Sequence, residues 1–233
     1  MSVTDEQKRL TEVYGDRARR LPADFYSAFH PGNLFILQGR ERGLLRMLSR
    51  AGLHDLSECQ ILDLGCGTGS DLRRLLDLGA RPEHLHGVDL LSERLEYARM
   101  LAPQLHFELA DAQHLPFADA TFDLVMQGTA FSSIVDPEIR RRVADEVLRV
   151  LKPGGVLLWY DMRLTDPRNS DLVPMTAREL ARLFPTCERH LEAVTLLPPL
   201  ARRLAPMAWG LCVLLEAFPF LRSHYVGFFR KRD

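Results

Sequence analysis

Ile61-Leu62-Asp63-Leu64-Gly65-Cys66-Gly67-Thr68-Gly69-Ser70 is the stretch on which the reading of this chain turns. Three apolar residues surround one acid and give way to three alternating glycines. Ser70-Asp71-Leu72-Arg73-Arg74-Leu75-Leu76 then follows with helical spacing. That is the pattern of a buried strand, a tight turn and a helix start. Glycine admits backbone torsions that a Cβ forbids and lets a ligand come close to the main chain. The first N–H groups of the helix have no partner within it, so a carboxylate or phosphate sits well there. A dinucleotide fingerprint needs a third glycine where Ser70 stands, so the spacing here, G-x-G-x-G, is a different one.

Outward from this turn, strand and helix patterns alternate. Strands are expected over 60–64, 85–90, 105–109, 122–127, 156–160, 190–196 and 225–230. Helices are expected over 70–78, ended by Gly79; over 93–101, capped by Ser92; over 137–150, capped by Asp136 with Pro137 in the first turn; and over 177–184, opened by Thr176 and Glu179. Such alternation argues for a parallel sheet with helices on both faces. Before it, a helical stripe covers 40–48 and is closed by Gly52, and residues 21–35, rich in Pro, Gly and aromatics, read as an ordered loop. One connection, 196–223, is far longer than a hairpin loop. It holds the apolar run Ala208-Trp209-Gly210-Leu211-Cys212-Val213-Leu214-Leu215 between Pro206 and Pro219. The run is too short to span a bilayer, and Glu216 interrupts it.

The 233 residues suit one large α/β domain. A formal net charge of −1 gives no electrostatic reason to expect a nucleic-acid partner. Cys59, Cys66, Cys187 and Cys212 form no C-x-x-C pair and read as reduced thiols, not as a disulfide frame or a metal site. The polar opening Met1-Ser2-Val3-Thr4-Asp5-Glu6 is unlike a secretory signal, which makes the cytoplasm the expected compartment.

With Asp63 two residues before the first glycine, the turn resembles motif I of the class I, Rossmann-like S-adenosylmethionine-dependent methyltransferases. Four more features follow in that family's order: Asp89 in Gly87-Val88-Asp89-Leu90, Asp111 in Leu109-Ala110-Asp111-Ala112, Leu115-Pro116-Phe117-Ala118-Asp119 leading to Phe122-Asp123-Leu124-Val125, and Leu148-Arg149-Val150-Leu151-Lys152-Pro153-Gly154-Gly155. The core is similar to the small-molecule, ubiquinone/menaquinone-biosynthesis branch. The resemblance implies a three-layer α/β/α sandwich around a doubly wound, mostly parallel seven-stranded sheet with an antiparallel last strand. It divides the chain into an N-terminal helical cap region, 1–58, and a methyltransferase core, 59–233, within a single domain. It implies S-adenosylmethionine as cofactor, with Asp89 accepting from the ribose diol as an acceptor-only carboxylate. Asp63, Gly65, Cys66, Gly67, Gly69, Leu90, Asp111, Ala112 and Gln127 complete the expected cofactor set, Cys66 through its backbone. No metal is expected.

Methyl transfer is an in-line displacement in which positioning supplies much of the rate. A base helps where the acceptor is a hydroxyl or an acidic carbon. His30 and Tyr160 are the candidate catalytic residues, with His190 and His224 behind them. Phe131, Tyr14 and Trp159 are candidate aromatic faces for a cation, and Arg40 and Arg42 candidate partners of a carboxylate. Gln127-Gly128-Thr129-Ala130 lacks the Pro-Pro-aromatic motif of nucleobase methylation. The expected activity is methyl transfer to a small-molecule, glycan or lipid acceptor in glycan or natural-product biosynthesis, with oxygen as the favoured atom. The alternatives are an NAD(P)-dependent oxidoreductase and a cofactor-binding module without catalysis. The 196–223 insertion is expected to serve as a lid, a homodimer surface or a peripheral membrane contact.

Overall fold

The computed structural model describes residues 3–22, 24–164 and 171–232. In chain order the elements are α1 (Val3–Arg20), α2 (Pro31–Arg50), β1 (Ile61–Leu64), α3 (Ser70–Asp77), β2 (Leu85–Asp89), α4 (Ser92–Leu101), β3 (His106–Leu109) and β4 (Phe122–Gly128). Then come α5 (Pro137–Val150), β5 (Leu151–Met162), α6 (Ala177–Leu183), β6 (Glu188–Leu196), α7 (Pro198–Leu204), α8 (Trp209–Glu216) and β7 (Arg222–Arg230).

The seven strands make one sheet in the order β3-β2-β1-β4-β5-β7-β6. Neighbours from β3 to β5 are parallel, and β7 runs antiparallel to both β5 and β6. Every residue of β1 is buried, as a strand covered on both faces requires. Leu72, Leu75, Leu95 and Met47 fill one face from α3, α4 and α2. Ile139, Val143, Val147 and Leu180 fill the other from α5 and α6. The strand order reverses at β1 and β4, and the crevice above the carboxyl ends of such a pair is where ligands bind in open α/β sheets.

Local chemistry explains the element ends. Asp136 accepts from the Glu138 and Ile139 N–H groups, and Thr176 from Glu179 N–H, as side-chain caps do. Among the boundaries that differ from the sequence pattern, three have local causes. Helix α2 begins at Pro31, shortening the loop: His30 Nδ1 accepts from Gly32 N–H at 3.1 Å, and the proline supplies the first turn. The cap of α4 is Leu91, not Ser92, because Asp89 Oδ1 has taken the Leu91 N–H at 2.9 Å. Strand β5 starts at Leu151, five residues early, since the Pro-Gly-Gly stretch is absorbed as an irregularity in the β4–β5 pairing.

The long connection folds as α7 and α8, and a third, smaller core of Phe35, Leu196, Ala201, Ala205 and Cys212 holds them against α2. Glycine at position 32 permits this: a Cβ there would lie 2.3 Å from the Arg202 Cα. No described helix is long and apolar enough to cross a membrane.

Candidate active site

The turn after β1 needs all three of its glycines. Gly65, Gly67 and Gly69 have φ of 71°, 54° and 70°, in the left-handed region. Gly65 and Cys66 both donate N–H bonds to the Val88 carbonyl at 2.9 Å, which ties the turn to the tip of β2. Gly67 donates to Asp89 Oδ2 at 2.8 Å. Asp89 thus joins two strand tips and keeps unused lone pairs on both oxygens. A Cβ on Gly67 would lie 2.3 Å from the Arg94 guanidinium, which also stands 3.7 Å from Asp89.

Two chambers open on this turn. The first, about 130 Å³, is mostly apolar and is lined by Leu90, Leu91, Ala110, Ala112, Ile134 and, from α1, Leu10, with Asp89 as its acid. The second, about 190 Å³, is polar and is lined by Arg40, Asp63, Thr68, Asp71 and Tyr160. Gly65, Arg94, Gly128 and Thr129 line both. The result is one bipartite crevice with an apolar end and a charged end.

Charge at the polar end is concentrated and shielded from water. Burial works against the Arg40 charge, but Asp71 outweighs it and holds the guanidinium above its ordinary range. Arg40 donates to both Asp71 oxygens, Nη1 to Oδ1 at 2.8 Å, and lies 5.0 Å over the Tyr160 ring. Burial, with Asp71 pressing the same way, pushes the Asp63 carboxyl well above the usual carboxylate range. Among the described residues no hydrogen-bond donor reaches Asp63, although it is 2% exposed.

A family profile described as methyltransferase domain matches residues 61–155, from the start of β1 into β5. Residues 61–155 carry a methyltransferase domain. It is similar to the O-methyltransferase cnsE of Penicillium expansum, 36% identical over 108 residues that cover 44% of this chain and 37% of that protein. It is likewise similar to the demethylmenaquinone methyltransferase of Clavibacter sepedonicus, 34% identical over 132 residues, 55% of this chain and 51% of that one. The chain therefore matches only about half, or less, of these relatives' length. A crystal structure of an S-adenosylmethionine-dependent methyltransferase from Methanosarcina mazei has the same fold, with a TM-score of 0.56, 21% identity, and coverage of 77% of this chain and 93% of that one.

Within the methyltransferase domain, the crevice gathers Asp63, Gly65, Cys66, Asp89, Leu90 and Ala112 from the expected set, with Gly67 and Gly69 shaping the turn. The Cys66 thiol points away, close enough to Gly87 to exclude a Cβ there, and burial raises it well above a reactive range. Besides Gly67 and Gly69, two expected residues do not line the crevice. Asp111 turns back on its own loop and accepts from Gln113 N–H at 3.0 Å. Gln127 is buried and braces the turn after β4, accepting from Ala130 N–H at 3.0 Å.

Of the candidate catalytic residues, Tyr160 is at the polar end and His30 is not. His30 caps α2 ten residues before Arg40, about 15 Å away along the helix at 1.5 Å per residue. Burial pushes the Tyr160 phenol up to about 12, and its hydroxyl is bonded to Thr195 Oγ1 at 2.9 Å. Its ring lines the polar chamber. His224 stacks on Tyr160 at 4.8 Å, and burial, helped by the Arg40 charge, lowers its imidazolium to about 4. His190 lies against Glu192 and Arg50, away from the crevice. Phe131 and Trp159 are fully buried among the α5 and α6 side chains, on the opposite face. The Tyr14 side chain lies outside the described residues. Arg42 is 3.9 Å from Glu216 and is likewise not brought in.

None of residues 196–223 lines either chamber, so the long connection is not a cover for this crevice; α1 is, through Leu10. Asp71, Arg94 and Leu10 are the site residues that sequence reasoning missed. The only signal for Asp71 was its place in the first turn of the helix after the glycines. Among the described residues no group of His, Cys, Asp and Glu could hold a metal ion.

Proposed function

We propose that this chain is an S-adenosylmethionine-dependent methyltransferase acting on a small-molecule, glycan or lipid acceptor, with oxygen as the methylated atom. The bipartite crevice carries the reading. Its apolar chamber and the Asp89 acid suit a nucleoside, and its charged chamber suits an amino-acid zwitterion. Both halves of the cofactor thus find their chemistry on one glycine turn.

The residues fit that cofactor. The cradle left by three left-handed glycines admits a ligand against the main chain. Asp89 accepts from the ribose hydroxyls, Leu90 and Ala112 flank the base, and Arg40 faces the methionyl carboxylate. Asp63 and Asp71 face the ammonium, which brings Asp63 hydrogen-bond donors. When bound, the cofactor supplies an electrophilic methyl on a sulfonium. The chain's own part is to orient the reacting groups and to exclude water. Oxygen as the acceptor atom is supported by the likeness to the O-methyltransferase cnsE of Penicillium expansum.

Isothermal titration with S-adenosylhomocysteine and with NADPH tests the reading. The homocysteine nucleoside binds and NADPH does not. Asp89→Ala weakens binding by about 10- to 100-fold, the worth of hydrogen bonds to a charged acceptor. Asp89→Asn, which keeps a carbonyl for Gly67 N–H, loses less. Unchanged affinity in Asp89→Ala, or a preference for NADPH, overturns the proposal.

A further inference from the structure

At one end of the molecule, beyond the crevice, the surface is apolar in an unusual degree. Every exposed residue from 206 to 220 is apolar: Met207 is 86% exposed and Phe220 71%, with Leu211, Val213, Leu214 and Phe218 between them. The loop at 24–30 adds Phe29, 100% exposed, and Tyr26, and is joined to α7 by Arg202, which lies 4.5 Å over Phe25. Isolated exposed apolar side chains need no explanation, but a contiguous set marks a contact surface.

Charge decides what the surface contacts. Arg163, Arg202, Arg203 and Arg222 ring this end, and among the described residues none is paired with a carboxylate. Arg163 donates to the Pro219 and Arg222 carbonyls, Arg222 to those of Glu216, Ala217 and Ala193, and Arg202 to Asn33 Oδ1. Against them stand Asp24 in the loop, Glu192, which is paired with Arg46 and Arg50, and Glu216, the one acid of α8. Glu216 is turned inward, accepting from Leu196 N–H at 3.3 Å.

We infer that this end docks on an anionic lipid surface, with the α8 side chains and the 218–220 turn entering the headgroup layer and the arginines meeting lipid phosphates. A second copy is the poorer occupant. In a two-fold dimer the patch meets itself, which would set the four arginines of one copy against the same four of the other. The inference does not depend on methyl transfer, because the patch shares no residue with the crevice.

Co-sedimentation with vesicles of 30% phosphatidylglycerol in phosphatidylcholine, and with pure phosphatidylcholine, tests it. The wild type pellets with the anionic vesicles, much less with the neutral ones, and is released by 0.5 M salt as screening predicts. Met207→Asp with Phe220→Asp lowers the partition coefficient at least about tenfold. Arg203→Gln, on the exposed face of α7, lowers it about fivefold and keeps the test open whatever the double variant does to the fold. Titration of all variants with S-adenosylhomocysteine matches the wild type. A wild type that stays in the supernatant with both vesicles overturns the inference. So do variants that pellet as well as the wild type, or a dimer in sedimentation velocity that Met207→Asp with Phe220→Asp takes apart.

Discussion

Two groups on neighbouring strands, the buried Asp161 and the partly buried His224, titrate in opposite senses. Burial raises the Asp161 carboxyl from 3.8 to about 6, against its bonds from Ser132 and Met162. Burial lowers His224 from 6.5 to about 4. For Asp161 the folded state holds the extra proton, so its contribution is present below about pH 4 and is lost as pH rises through 6. For His224 the unfolded state holds it, so stability present above 6.5 is lost as pH falls toward 4. Each is worth about 3 kcal/mol at about 1.4 kcal/mol per pH unit, and in the wild type they nearly cancel. Urea unfolding at pH 7 and 4.5 reads the difference. Relative to the wild type, Asp161→Asn loses about 2 kcal/mol on going to pH 4.5, and His224→Gln gains about 2.5 kcal/mol. Parallel profiles for all three proteins would remove this account.

At the scale of elements, two helix glycines make opposite demands. Gly32 in α2 faces the Arg202 backbone at a distance no Cβ tolerates, whereas nothing lies within 4 Å of a Cβ built on Gly210 in α8. Alanine gains about 1 kcal/mol over glycine inside a helix, and overpacking costs about 1–3 kcal/mol or more against a rigid neighbour. Gly210→Ala is therefore expected to raise the urea midpoint, and Gly32→Ala to lower it by parting α2 from α7. The same contrast shows what was legible beforehand. Glycines 65, 67 and 69 announce a turn because their torsions are local, and strand alternation follows from burial on both faces. Arg94 sits on a helix rich in charge and reads as solvated until α4 is seen beside the turn, and the sequence does not separate Arg40, which reaches the crevice, from Arg42, which does not. Asp111 and Gln127 occupy the expected backbone positions, but their side chains close bonds within their own loops, a matter of rotamer that spacing does not carry. His30 looked like a loop base because the start of α2 at Pro31 was hidden among Pro, Gly and aromatic residues.

In the whole molecule, α2 is the member common to every part. It packs Met47 into the main core, sends Arg40 to the crevice, and seats α7 and α8 through Phe35. Its length explains how an end that shares no lining residue with the crevice is held in fixed relation to it.

The two tryptophans fall on either side of that division. Trp159 is wholly enclosed in the core beneath α5 and α6, while Trp209 is 37% exposed, edge-on to Phe35, at the foot of the apolar patch. The chain accordingly carries two optical reporters of separate events. Acrylamide should quench one emitting population and spare a bluer one, and Trp209→Phe should leave only the spared population. Adding anionic vesicles to the wild type should shield the quenchable indole without disturbing the hidden one, so that adsorption and unfolding are read from one fluorescence spectrum with no label attached.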